Sequence, residues 1–423
     1  VVLMYIYLNY SKHGYEISVV GESERTAKYV GIKVDKVIIR TLLLSGAICG
    51  IAGWLLVAGT DHTITTTIAG GRGFLGIMVA WLAKFSPVAM VFSSLLLAVL
   101  ARGASEISTI YPLLLGCTGE TISEKSGSLN LGIPGVMYVG AISGVIGSFM
   151  YEQRAGDDFN DLIAVLIPLF ACLLGSLIMG IIFSVLTVTL RAEQNVTGLA
   201  MTTFGIGFGN FFGGSLIKLT GSDVPSIALS KTSAAFSKSL PFANDLGWFG
   251  KIFLSYGFLT YLAIIIAFVT AYILKRTRTG LQLRAVGENP ATADAAGINI
   301  TKYKYLSVCI GCMIAGLGGL YYVMDYASGV WSNDAFGDRG WLAIALVIFT
   351  LWRPNIGVPA SMLFGGLYIL YLFLPSSNLA IKELYKMLPY VVTIIVLIMS
   401  SIRNNREKQP PLALGLPYFR EDR

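Results

Sequence analysis

The amino-acid sequence predicts an all-α protein, a polytopic transmembrane helical bundle. Three observations carry that expectation. Hydrophobic residues make up 55% of the 423 positions and charged residues only 13%, with a mean hydropathy of +0.70; soluble domains carry about 25% charge. Leu162–Leu190, Ile252–Leu274, Leu306–Met324 and Leu388–Ser401 hold no charged residue, and roughly 20 apolar residues cross a bilayer core. The lysines and arginines gather in a few loops, so the formal net charge of +7 marks loop placement rather than a nucleic-acid surface.

Taken in order, Val1 to about Leu8 reads as the end of a spanning helix, with no signal-peptide pattern after it. The loop Asn9–Lys36 carries Lys12, Arg25, Lys28, Lys33 and Lys36, which places it inside the cell. A Gly-rich span leads to an outer Arg72-Gly73 and then to a span that starts at Pro87. Glu152–Asp161, with four acids against Arg154, is placed outside, and so is the long loop Lys218–Lys251. Lys275–Lys304 holds six basic residues against Glu288 and Asp294, and the tail Arg403–Lys408 three more; both go inside.

Several chemistries are excluded. Cys309-Ile-Gly-Cys312 has no second cysteine pair or nearby histidine to complete a zinc site. The remaining cysteines mostly sit in apolar segments. Gly71-Arg-Gly-Phe-Leu-Gly76 fits G-x-G-x-x-G, but it enters a short apolar helix rather than following a strand. No phosphate-binding G-x-x-x-x-G-K-[ST] loop occurs, and neither His13 nor His62 has a catalytic setting, so no cofactor, metal or enzymatic activity is expected of the chain. The N-x-[ST] matches at Asn9, Asn195 and Asn299 fall in loops placed inside.

A repeat organises the chain. At an offset of 266 residues (Gly21 to Gly287), Gly14 matches Gly280, Gly21-Glu22 match Gly287-Glu288, Ala27 matches Ala293, and Gly31-Ile32 match Gly297-Ile298. Lys36, Gly50 and Gly53 match Lys302, Gly316 and Gly319; after a one-residue slip, Arg72-Gly73 match Arg339-Gly340 and Pro87 matches Pro354. Ordered agreement of this kind is a homologous repeat. The copies are unequal, and the sequence implies missing helices around Ser105–Tyr111. The expected organisation is residues 1–104 as the C-terminal portion of one unit, 105–112 as a junction, 113–408 as a nearly complete second unit, and 409–423 as a tail.

Each motif copy reads as a short helix with its own punctuation. Asn289 caps and Pro290 opens the second, and Gly297 permits the left-handed turn that ends it. Ser23 caps the first, Glu24 sits at its positive end, and Gly31 stops it. About seven residues make no stable helix alone in water, so each must dock on something. An ordinary connector between spans is the bland alternative, and the duplication favours docking.

The run Thr279-Gly280 … Arg284-Ala285-Val286-Gly287-Glu288-Asn289-Pro290 … Gly297-Ile298 resembles the cytoplasmic coupling loop of bacterial ABC importer permeases of the branched-chain amino acid, simple sugar and nucleoside group. The stretch from Gly119 to Gly135 is similar to the early signature of the nucleoside subgroup, with Pro134 where many members have Glu or a similar residue. The resemblance implies a permease subunit in the bacterial cell membrane, working by alternating access. Its partners would be an ATPase subunit that uses ATP and Mg, a substrate-binding lipoprotein and a sister permease. It assigns ATPase coupling to Gly21, Glu22, Ala27, Gly31, Arg284, Gly287, Glu288, Asn289, Pro290, Ala293 and Gly297. Sugar or branched-chain amino acid transport, and a gated channel or passive facilitator, stand as alternatives.

The absence of charge from the four spans argues against a proton- or sodium-driven carrier and for a small neutral solute. In Val196–Ile217, Gly205, Gly209 and Gly213 form one close-packing stripe. Thr203 and Asn210, with Phe204, Phe208 and Phe211 beside them, are pathway candidates for hydrogen bonding and stacking; lipid-facing rings and a satisfied Asn are the structural alternative. Asn130 and Tyr138 are weaker candidates of the same kind. Arg72 and Arg339 suit a docking protein's carboxylates, and equally membrane-interface anchoring or pairing with Asp61 and Asp338.

Overall fold

The computed structural model of the chain describes residues 2–58, 72–94, 110–155, 158–220, 226–239, 254, 256–334, 336–373, 379–402 and 409–419. It divides into two compact units, Val1–Gly103 and Ala104–Arg423.

The first unit contains α1 (Val2–Tyr10), α2 (Lys12–Glu22), α3 (Glu24–Tyr29), α4 (Val34–Leu56) and α5 (Arg72–Leu82). Ser11 ends α1 and starts α2, its Oγ accepting the Gly14 N–H at 3.0 Å. The chain reverses sharply there: a Cβ on Gly14 would stand 2.1 Å from the Leu8 carbonyl oxygen. Arg40 ties α4 to α2 by donating to Glu16 at 3.0 Å and contacting His13 at 2.6 Å. That hydrogen bond to Arg40 holds the Glu16 carboxyl below its ordinary range. Most of α4 is apolar and open, including Leu42, Leu43 and Trp54, the composition of a helix that faces lipid or other helices. Asp61 and His62 lie outside the described residues, as do residues 105–109 of the Ser105–Tyr111 stretch where missing helices were expected.

The second unit is built from α6 (Ile110–Lys125), α7 (Ile133–Ala155), α8 (Asp161–Ser184), α9 (Gln194–Thr220), α10 (Ser230–Phe236), α11 (Phe258–Arg276), α12 (Arg278–Glu288), α13 (Pro290–Ala295), α14 (Ile300–Tyr321), α15 (Arg339–Phe349), α16 (Pro354–Phe373), α17 (Leu379–Lys386) and α18 (Leu388–Ile402). Its centre is α6, α7, α8 and α14, whose facing side chains include Leu114, Ile142, Cys172 and Leu320. Backbones meet closely at glycines: a Cβ on Gly119 of α6 would stand 2.3 Å from the Gly311 oxygen of α14, and one on Gly311 would stand 2.5 Å from the Gly119 oxygen. With no hydrophobic drive between helices inside a bilayer, such close approach supplies the packing.

Across the two units, five described helices are long and apolar enough to cross a membrane, at Val34–Leu55, Ile133–Ala155, Asp161–Thr189, Phe258–Arg276 and Ile300–Tyr326. The protein is a multi-pass helical membrane bundle. Three local features differ from the sequence expectation. Two three-residue strands, Ser226–Ala228 and Val330–Ser332, pair antiparallel. The last span, α18, is 15 residues long, shorter than a bilayer core needs by itself. Helix α6 buries Glu120 and Glu124; a search for charge-free spans passes over a helix of this composition.

Candidate functional site

The segment from Thr277 to Ile300 turns twice within a few residues, and its side chains dictate both turns. Thr277 Oγ1 accepts the Gly280 N–H at 3.1 Å and opens α12. Asn289 ends α12 and opens α13, its Oδ1 accepting the Thr292 N–H at 3.0 Å, with Pro290 at the first helical position. Gly297, at φ +79°, ends α13, and the Ile298 N–H returns to the Ala293 oxygen at 3.0 Å. Ala293, 3% exposed, packs with Val286 and Ile300, while Asn289, Gly297 and Ala295 stay exposed.

The first unit repeats this geometry bond for bond at the offset of 266. Ser11 stands for Thr277 and Ser23 for Asn289, the Ser23 Oγ accepting the Thr26 N–H at 3.3 Å. Gly31 sits at φ +84°, and the Ile32 N–H returns to the Ala27 oxygen at 2.9 Å. Ala27 is fully buried, as its counterpart Ala293 is nearly so. A Cβ on Gly280 would stand 2.1 Å from the Ile273 oxygen, the distance a Cβ on Gly14 would find against Leu8. The expected helices are thus six residues each, and each follows an 11-residue helix, α2 or α12, that spacing alone did not reveal.

The expected coupling residues separate into two kinds. Gly21, Glu22, Asn289 and the turn glycines Gly31 and Gly297 are exposed, and Glu288 and Pro290 are half-buried. Gly287 is internal: a Cβ there would meet the Lys125 oxygen at 2.4 Å. Arg284 is half-buried, with its Nε unbonded among the described residues, and Lys125 lies in the field of both Glu288 and Arg284.

Beneath this hairpin lies the run Ser126–Gly132, whose role sequence reasoning missed. Its Leu129 N–H donates to Gln194 at 2.7 Å, its Leu131 oxygen accepts from Thr202 at 2.7 Å, and Ser307 donates to Ser126 at 2.7 Å. The run therefore joins the ends of α6, α9 and α14. Glu120 accepts the Asn130 N–H at 2.9 Å and Glu124 accepts from the Trp352 indole. Asn130, expected as a pathway residue, is fully buried; it donates to Cys312 at 3.5 Å and accepts from the Gly132 N–H at 2.9 Å. Its polar groups brace the loop. The C-terminal segment, expected as a plain tail, folds onto the same place: the Ala413 N–H donates to the Gly287 oxygen at 3.0 Å and the Gly415 N–H to the Gly127 oxygen at 3.1 Å.

Helix α9 has two unlike faces. Its glycine stripe is buried: a Cβ on Gly205 would stand 2.4 Å from the Gly135 oxygen, and one on Gly213 would stand 2.0 Å from the Trp331 nitrogen. On the opposite face Thr203, Phe204, Phe208 and Phe211 line an open apolar groove of about 790 Å³. Phe211 is 67% exposed. Thr203 Oγ1 donates back to Leu199 at 3.1 Å. Asn210 is satisfied twice over, donating to Asp334 Oδ1 at 2.9 Å and accepting the Asp334 N–H at 3.2 Å, so it pins a loop. Tyr138 is buried against Trp331 and Phe336. Arg339 lies over the rings of Tyr322 and Tyr326, 4.8 and 5.5 Å from their centroids, and donates to the Phe336 oxygen at 3.2 Å. Asp338 caps no helix through its side chain, and Arg72 begins α5.

The chain matches the family described as "Branched-chain amino acid transport system / permease component" over two consecutive stretches, residues 1–110 and 104–397. It is 31% identical over 317 residues to the guanosine ABC transporter permease protein NupQ of Bacillus subtilis, covering 74% of this chain and 94% of that one. It is 32% identical over 291 residues to the nucleoside ABC transporter permease protein NupC of Lactococcus lactis, covering 68% and 87%. A shorter match, 36% over 122 residues, covers 29% of this chain and 34% of the guanosine ABC transporter permease protein NupP of Bacillus subtilis. No solved structure matches. A duplicated capped hairpin in a glycine-packed membrane bundle, matched twice in succession by one family, identifies the chain as a member of the branched-chain amino acid transport system permease family, the permease component of an ABC transporter.

Proposed function

We propose that the protein is the membrane component of an ATP-driven importer of nucleosides, and that its two hairpins face the cytoplasm to dock ATPase subunits that hydrolyse ATP in its place. The observation that carries this reading is the hairpin built twice with the same hydrogen bonds. Each copy buries one alanine against its own unit and leaves the outer face of a six-residue helix open, Tyr29 in the first copy being 93% exposed. A helix that short needs a partner surface, and a paired ATPase offers two. Force applied to α13 passes through Ala293 and Ile300 into α14, and through Gly287 into the end of α6.

The solute is proposed from the permeases named for guanosine and nucleosides among the relatives, and from the aromatic groove on α9, where faces such as Phe204 and Phe211 suit a base. Arg339 serves as an aromatic-held anchor near a binding-protein surface, with Arg72 in the equivalent position of the first unit. The first unit is the C-terminal portion of one permease and the second a nearly complete sister, a division that the two consecutive family matches support.

The test is uptake of radiolabelled guanosine, glucose and leucine by proteoliposomes holding the chain, a full-length sister permease, the ATPase and the binding lipoprotein. ATP-dependent accumulation of guanosine alone is expected. Uptake indifferent to ATP would sink the importer reading, and glucose or leucine as the preferred solute would overturn the nucleoside assignment.

A further inference from the structure

Beside the second hairpin, and sharing Gly297 and Ile300 with it, lies a polar cavity of about 520 Å³. Its walls are Thr187 and Arg191, three and seven residues past the end of α8, the turn Gly297–Thr301 into α14, Lys304 one turn further along, and Asp294 and Tyr418 at the rim. Lys304 is 4% exposed. Its ammonium makes no hydrogen bond or ion pair with any described residue. An ammonium withdrawn from bulk water without a counter-charge is costly, and one that persists calls for an anion.

The other donors agree. The cavity meets the N-terminus of α14, a 22-residue helix whose first N–H groups have no internal partner and whose dipole favours negative charge. Only the Lys302 N–H in that first turn is capped by the Asn299 side chain, at 3.0 Å. Arg191 stands at the mouth with its guanidinium 4.7 Å from the Phe419 ring centroid. Asp294, the one acid lining the cavity, accepts the Tyr418 hydroxyl at 3.0 Å. The two cations outweigh it.

We propose that this cavity binds a phosphate group. Several N–H, ammonium and guanidinium donors converging on one polar space match a tetrahedral oxyanion better than a single carboxylate. The donors come from the ends of two membrane-crossing helices, Asp161–Thr189 and Ile300–Tyr326, the depth at which phospholipid headgroups lie. Free phosphate could reach the same donors. The C-terminal segment supplies Tyr418 to the rim and packs Phe419 against Arg191, so an occupied site ties that segment, α13 and α14 together beside the hairpin.

The full 423-residue chain, purified in neutral detergent, is titrated with inorganic phosphate by calorimetry. In parallel its thermal midpoint is measured in nanodiscs of phosphatidylcholine alone and of phosphatidylcholine with phosphatidylglycerol. Saturable binding of phosphate assigns a free-phosphate site; stabilisation by phosphatidylglycerol without phosphate binding assigns a headgroup site. In either arm Lys304→Met weakens binding about tenfold, the loss of one charge-assisted contact. Because Met replaces an unpaired buried charge with an apolar chain of similar length, this variant melts higher than the parent when neither ligand is present. Arg191→Gln, at the open mouth, is the second variant and weakens binding without altering the fold. Failure of both ligands to bind the parent chain overturns the proposal, as does unchanged binding by both variants.

Discussion

At the scale of single residues, the left-handed turns at Gly31 and Gly297 set the direction in which each hairpin leaves its short helix. A side chain there strains the turn by about 1–2 kcal/mol. Gly297→Val is therefore expected to lower the thermal midpoint modestly and ATP-dependent uptake strongly, with Gly31→Val parallel in the first unit; uptake equal to the parent would separate the turn from coupling. Gly205→Leu drives a side chain into the Gly135 backbone and is expected to cost about 1–3 kcal/mol by overpacking. Calorimetric melting in detergent checks it, and Gly207→Leu, facing open space, is the control that should cost little. The turn glycines and caps were legible in the sequence because each has one local physical job. The settings of Asn130 and Asn210 were not legible for the opposite reason: their amides donate to Cys312 and Asp334, 182 and 124 residues away. No local pattern reveals that such an amide is already satisfied.

Among the elements, the span boundaries followed from hydropathy, which places α8, α11 and α14 close to the stretches Leu162–Leu190, Ile252–Leu274 and Leu306–Met324. Helix α6 escaped because Glu120 and Glu124 interrupt its apolar run, and their burial depends on contacts with Asn130 and Trp352. The C-terminal segment was equally hidden. Nothing in Pro411–Phe419 signals a docked strand of chain, yet its backbone bonds to Gly127 and Gly287 and its Tyr418 joins the Val286–Ala293–Ile300 cluster. Removing residues 409–423 is expected to loosen α13 and to reduce nucleoside-stimulated ATP hydrolysis in the reconstituted complex. Tyr418→Ala alone should lose a smaller part, about 1 kcal/mol of local stability, the size of one hydrogen bond with some packing. Hydrogen exchange across α12 and α13 reads both, and unchanged protection would show that the segment is not part of the hairpin's support.

For the whole molecule, family membership rests on the matched stretches, and the repeat explains why one chain should present two copies of one docking element. Fold class was readable because bilayer thickness and helix rise fix the length of apolar runs. The pathway was not, because the open face of α9 gains its meaning only from what covers it. The chain by itself is expected to bind ATPase subunits without accumulating solute, and transport should appear only with a full-length sister permease. The most direct measurement of the central claim places a photoreactive residue at Tyr29 and, separately, at Ala295, matched exposed positions of the two short helices. In membranes that also contain the ATPase subunit, both positions are expected to crosslink to it. Crosslinks at neither position, with the complex otherwise assembled, would contradict the account.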